Sequence, residues 1–159
     1  MKQLKLIFSL GILFLACGCS QTKVIAPDIV EKPRLNRESF FGERVVLDGT
    51  KSVFLTELDL ELNFPTGHEL LAHANPNITF YASSGEQILK QELYPDTHHY
   101  VINQKMDAPI YYIVLGIYYC HTGSEGQCMM QNVLYEVHTS EQLIPGPLRI
   151  EYDVPVSNF

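Results

Sequence analysis

The chain reads as an all-β protein, an antiparallel β-sandwich of about seven or eight strands between residues 40 and 159. Three observations predict it. Apolar residues alternate with polar ones at a period of two. Turn dipeptides punctuate the chain every few residues. No stretch carries the 3.6-residue apolar stripe of an amphipathic helix.

The clearest strand holds Phe54, Leu58, Leu60, Leu62 and Phe64 on one face and Glu57, Asp59 and Glu61 on the other. Such alternation places one face in the core and one in water. Leu148, Ile150, Tyr152 and Val154 repeat the pattern against Arg149, Glu151 and Asp153. Ile78, Phe80 and Ala82 give a shorter strand. Residues 110–120 are apolar on both parities, which predicts a central strand covered on both sides. Asp48-Gly49, Pro65-Thr66-Gly67, Asn75-Pro76-Asn77, Ser83-Ser84-Gly85, Pro95-Asp96 and Pro145-Gly146-Pro147 mark turns between the strands.

The N-terminus has a different character. Lys2 and Lys5 precede an eleven-residue apolar run, Leu6 to Ala16. That is too short for a membrane-spanning helix, which needs about 20 residues, and fits a secretory signal peptide over residues 1–18. Leu15-Ala16-Cys17-Gly18-Cys19-Ser20 then resembles the lipobox of bacterial lipoproteins, in which the cysteine after a small residue is acylated. Gly18 before Cys19 fits best, with Cys17 as the alternative. Residues 19–39 contain Pro27, Pro33, mixed charges and no apolar period. They are expected to form a lipid-anchored tether, spanning roughly 25 Å if flexible. Ser20 after the anchor points, by analogy with lipoprotein sorting, to the outer membrane and a periplasm-facing domain.

Charge narrows the partners. The chain carries 11 Lys and Arg against 18 Asp and Glu, a net charge of −7. Nucleic acid is excluded as the default partner, since phosphate recognition needs a basic face. So is electrostatic membrane binding, which leaves the N-terminal lipid as the route to a membrane. No P-loop, Rossmann glycine pattern or nucleophile elbow is present, and no cofactor is implied.

If Cys19 is acylated, Cys120 and Cys128 are the pair left over in an oxidising compartment. They lie on either side of a seven-residue loop with two glycines, between two β-runs. A cross-strand disulfide closing this hairpin would stabilise by about 2–3 kcal/mol on the chain-entropy model. Pairing the cysteines fixes the register. Tyr118 faces Met130, Gly116 Asn132, Val114 Leu134 and Tyr112 Glu136. On the other face Tyr119 meets Met129, Ile117 Gln131, Leu115 Val133 and Ile113 Tyr135. The second, more apolar set is expected to look into the core. Two readings of the sulfurs stand side by side: a structural staple, or a redox pair whose exchange needs accessible sulfur. In the redox reading Cys120 and Cys128 cycle, His121 favours a thiolate when protonated, and Tyr118 with Met130 partly shields the sulfurs.

Phe64-Pro65-Thr66-Gly67-His68-Glu69-Leu70, then Ala74-Asn75-Pro76, together with Tyr118-Tyr119-Cys120 and Cys128, resemble a known family. It is the β-sandwich family of the N-terminal periplasmic domain of the thiol:disulfide interchange protein DsbD. It also includes the C-terminal β-domain of thioredoxin-like proteins carrying NHL repeats. The resemblance spans residues 44–154. It implies an immunoglobulin-like sandwich, a redox-active hairpin pair at Cys120 and Cys128, and a thioredoxin-like partner. The chain departs from DsbD in its wider cysteine spacing and in Met129-Met130 after the second cysteine. It has no Cys-x-x-Cys of its own, so the electron donor would be another protein.

Histidine is plentiful, at 68, 73, 98, 99, 121 and 138, and copper(I) is conceivable with Cys120, Cys128, Met129 and Met130. Met129 and Met130 point to opposite faces of a strand, however. His68-Glu69-Leu70-Leu71-Ala72-His73 is one residue too long for the zinc-protease helix motif. No metal site is assigned.

Overall fold

The computed structural model describes residues 32–50, 55–106, 108–123, 128–139 and 146–156. The proposed signal peptide and most of the tether lie outside them, as does Phe54. Among the described residues the chain forms nine strands. These are β1 (Glu43–Thr50), β2 (Leu55–Asn63), β3 (His68–Leu70), β4 (Asn77–Ala82), β5 (Gln87–Glu92), β6 (His99–Ile102), β7 (Ile110–His121), β8 (Cys128–Thr139) and β9 (Gly146–Asp153). Ala72–Ala74 adds a short 3-10 turn.

The strands make two sheets. The larger runs β1-β8-β7-β4-β5, with β3 continuing alongside β7 beyond β4; the smaller runs β6-β2-β9. Their facing sides supply one core. Leu58, Leu60, Leu62, Ile150 and Tyr152 come from the small sheet, and Phe80, Ile113, Leu115, Ile117 and Val133 from the large one. Each such side chain contributes roughly 1.5–3 kcal/mol by leaving water. The all-β sandwich expected from the alternation is the observed fold.

Its sheets are mixed rather than purely antiparallel, because β1 runs parallel to β8 and β2 parallel to β9. Alternation states which face of a strand is buried and carries no information about a neighbour's direction. Both parallel pairs join segments distant in sequence, which no hairpin turn connects. Asp48-Gly49, read as a turn, lies inside β1. Gly146 and Pro147, also read as part of a turn, lie in β9, and Pro145 is outside the described residues. The turns at Pro65-Thr66-Gly67, Ser83-Ser84-Gly85 and Pro95-Asp96 are where the sequence places them. Gly67 (φ 77°) and Gly85 (φ 82°) take left-handed conformations. The amides of His68, Gly85 and Thr97 close i to i+3 turns on Pro65, Ala82 and Tyr94.

On β2, Leu58, Leu60 and Leu62 are buried and Glu61 is exposed as expected. Phe64 is only partly buried, because it sits at the mouth of the sandwich, edge-on to His98. Glu57 is half-buried rather than exposed, and so is Asp59. Asp59 bonds His99 across the sheet, and the Arg149 Nε lies 3.2 Å from its Oδ2.

The last part of the expected tether lies on the domain. Arg34 bridges Glu86, the Leu35 amide donates to the Gly85 carbonyl at 2.8 Å, and the Gln87 amide to the Pro33 carbonyl at 3.2 Å. Arg37 then lies 4.9 Å above the Tyr112 ring and donates to its hydroxyl at 2.6 Å. Residues 33–42 thus form a strap from the β4–β5 turn, over the outer face of the large sheet, to β1. It uses backbone groups and one arginine in place of an apolar stripe.

Candidate functional site at the disulfide end of the central hairpin

β7 and β8 are the two longest strands, and their pairing is unbroken from Ile110 with His138 to Cys120 with Cys128. Every cross-strand pair fixed by joining the cysteines is observed. The sulfurs are bonded, with the Cα atoms 4.1 Å apart, the close spacing of a narrow antiparallel pair.

The two faces of the hairpin separate as expected. Ile113, Leu115, Ile117, Tyr119, Val133 and Tyr135 are buried and belong to the sandwich core. The disulfide is on the opposite, outer face: Cys120 is half-buried and Cys128 exposed. Tyr118 and Met130 pair beside it on that face, Tyr118 half-buried and Met130 52% exposed. The outer face is not uniformly open, because Tyr112 and Leu134 are each 3% exposed. Tyr112 lies under Arg37 of the strap, and Leu134 is paired with Arg44 of β1.

β3 brings in the residues that period alone did not reveal. Glu69 pairs with Cys120, and His68 with His121. Glu69 is exposed, on the same face as the disulfide. It puts a carboxylate where an incoming thiolate would approach, and like charges repel. His121 follows Cys120 on the strand and so points to the other face. There its ring meets His68 edge-on, with centroids 5.0 Å apart. His121 is thus a chain neighbour of the disulfide and lies across the sheet from it. The Pro65-Thr66-Gly67 turn closes over this ring. The Thr122 amide and hydroxyl both donate to the Gly67 carbonyl, at 2.6 and 3.0 Å. Gly67 holds φ +77°, which favours glycine, and a Cβ there would stand 3.1 Å from the His121 Nε2, so the ring would have to give by a few tenths of an ångström. The Phe64–Leu70 segment of the resemblance therefore packs directly against the cysteine hairpin.

Beneath the pair, Tyr119 anchors this end. Its hydroxyl donates to the Pro155 carbonyl at 2.9 Å and lies 3.8 Å from the Met129 sulfur. Burial pushes its ionisation up. Elsewhere in the core, Tyr152 donates to Glu43 at 2.9 Å, whereas the buried Tyr135 hydroxyl has no hydrogen-bond partner among the described residues.

Among the described residues, no three of His, Cys, Asp and Glu gather as a metal site. The histidines are dispersed. His68 meets His121, His98 meets Phe64, His99 bonds Asp59, His138 bonds Glu136, and His73 is in the 3-10 turn. What the arrangement offers is a solvent-side disulfide at the end of a long, continuously paired hairpin. Comparison with protein-family models and with curated proteins finds no match to the chain.

Proposed function

We propose that this chain is a membrane-anchored, extracytoplasmic domain that exchanges its Cys120–Cys128 disulfide with the dithiol of a thioredoxin-like partner. One observation carries the reading: the sulfurs lie outside the core, with Cys128 exposed. The bond can open without removing any core side chain. The likeness of Phe64–Leu70 and the cysteine hairpin to the DsbD-type sandwich family supports the same reading.

In the reaction a partner thiolate attacks one sulfur. The Cys120–Cys128 bond breaks, a mixed disulfide forms, and the other cysteine leaves as a thiolate. The partner's second thiolate then attacks the mixed disulfide. The domain ends with two thiols and the partner with a disulfide, two electrons and two protons having moved to the domain. The reduced domain can pass them to another protein disulfide by the reverse steps. Cys19, or Cys17 in its place, carries the lipid, and Ser20 directs the chain to the outer membrane. Changing Cys19 to Ala is expected to release the protein from membranes or block its processing. Unchanged attachment would assign the lipid to Cys17.

A second reading, a non-catalytic interaction domain with a structural disulfide, is favoured by the eleven cross-strand pairs behind the bond. There the disulfide merely fastens a loop. The reduction potential separates the two. Exchange proteins lie at roughly −120 to −270 mV, and structural bonds below about −300 mV.

A further inference from the structure

We infer that the domain is hung with its disulfide end pointing away from the membrane, toward a soluble partner rather than one embedded in the same bilayer. This rests on the lipid anchor proposed above and on two contacts at opposite ends of β7. The first is the docking of the strap. Lys32 pairs with Glu86 at 3.3 Å, Arg34 bridges Glu86, and Leu35 bonds Gly85. The N-terminal chain therefore joins the domain at the β4–β5 turn. Gly85 fits there as no other residue would: its φ is +82°, and an added Cβ would stand 2.9 Å from the Leu35 carbonyl oxygen.

The second contact is the disulfide. Ala82, at the start of that turn, pairs with Tyr111 at the opening of β7, whereas Cys120 lies near the close of the same strand. Nine residues of strand between them span roughly 30 Å. The strap contacts thus set the attachment point and the sulfurs at opposite ends of β7.

The number of residues between the anchor and the strap bears on the orientation. Had the tether run to residue 39, the domain would hang from the start of β1. Because the strap is docked from Lys32, twelve residues lie between Cys19 and the domain, with a reach of no more than about 45 Å. That is comparable with the roughly 30 Å of β7 between the strap contacts and the sulfurs, so the β4–β5 end is held nearer the bilayer on average. The open rim left at the far end is Cys128, Met130, Tyr118 and Glu69.

The chain contains no tryptophan, so one introduced indole reports without background. Ser84→Trp, in the β4–β5 turn, and Glu69→Trp, beside Cys120, would be made in the lipidated full-length protein. Each would be reconstituted in vesicles holding a dansyl-headgroup lipid. Energy transfer is expected to be several-fold stronger from position 84 than from position 69. Leu35→Pro removes the amide that holds the strap to Gly85 and should shrink the difference while circular dichroism stays that of the folded sheet. Vesicle-bound protein with equal transfer from both positions, or stronger transfer from position 69, would overturn the orientation and leave the anchor standing. Protein that does not float with the vesicles would overturn both.

Discussion

The two ends of the outer face of the β7–β8 hairpin are built from the same alternation and meet different fates. At one end Tyr112 and Leu134 are each 3% exposed, with Arg37 of the strap over Tyr112. At the other, Met130 is 52% exposed and Cys128 stands in solvent. The inner faces beneath both ends are sealed alike, with Ile113 and Ile117 fully buried. The difference teaches that the sandwich core does not depend on what covers the outer face. The strap closes one end, and the cysteine end is left open.

The largest expected effect tests the inner face. Ile117→Ala should lose about 2–5 kcal/mol in denaturant unfolding, as large-to-small core changes do. Leu60→Ala, in the facing sheet, should lose as much. Met130→Ala, on the open outer face, should stay within about 0.5 kcal/mol. Equal losses at 117 and 130 would break the distinction between the faces.

Opening the disulfide comes next. Cys120→Ser with Cys128→Ser should cost no more than about 2–3 kcal/mol, the loop-entropy share, and leave the far-ultraviolet spectrum of the sheet intact. Collapse of the fold would place the bond in the framework. Arg37→Ala should cost about 1 kcal/mol at the covered end, from the lost ring contact and hydrogen bond, and should leave the rate of disulfide reduction unchanged. A change in that rate would couple the two ends.

Within the core, Tyr135 and Tyr152 give a matched pair. Tyr152→Phe removes a hydroxyl bonded to Glu43 and should destabilise by about 1–2 kcal/mol. Tyr135→Phe removes a buried hydroxyl with no partner among the described residues and should be neutral or stabilising. Burial raises the ionisation of both, and of Tyr111, above the ordinary tyrosine range. These tyrosines stay neutral in the folded chain while the unfolded chain ionises at about pH 10. Their contribution is therefore complete below about pH 10 and lost as pH rises beyond it. A melting temperature that holds to pH 12 would contradict their burial.

Much of this was legible in the sequence. Leu58, Leu60 and Leu62, and likewise Leu148, Ile150, Tyr152 and Val154, announced their buried face by alternation. Joining two cysteines across a loop fixed the longest hairpin residue by residue, because strand pairing has one degree of freedom. What stayed hidden depends on contacts between distant segments. Parallel pairing of β1 with β8 leaves no periodic trace. The strap binds through backbone amides and Arg37, so it reads like any polar linker. Glu69 reached Cys120, and His68 reached His121, only when β3 joined β7. The Pro65-Thr66-Gly67 turn was the one local sign of that contact. Glu69→Gln isolates one of these residues. Removing the carboxylate should speed reduction by a small anionic thiol a few-fold at low salt, with little effect at high salt.

The proposed function has the Cys120–Cys128 sulfurs, which lie outside the core, exchange rather than fasten, and the reduction potential of the pair tests it most directly. Equilibration with glutathione or a thioredoxin couple should give a value between roughly −120 and −270 mV. A value below about −300 mV would contradict the claim and make the bond a staple.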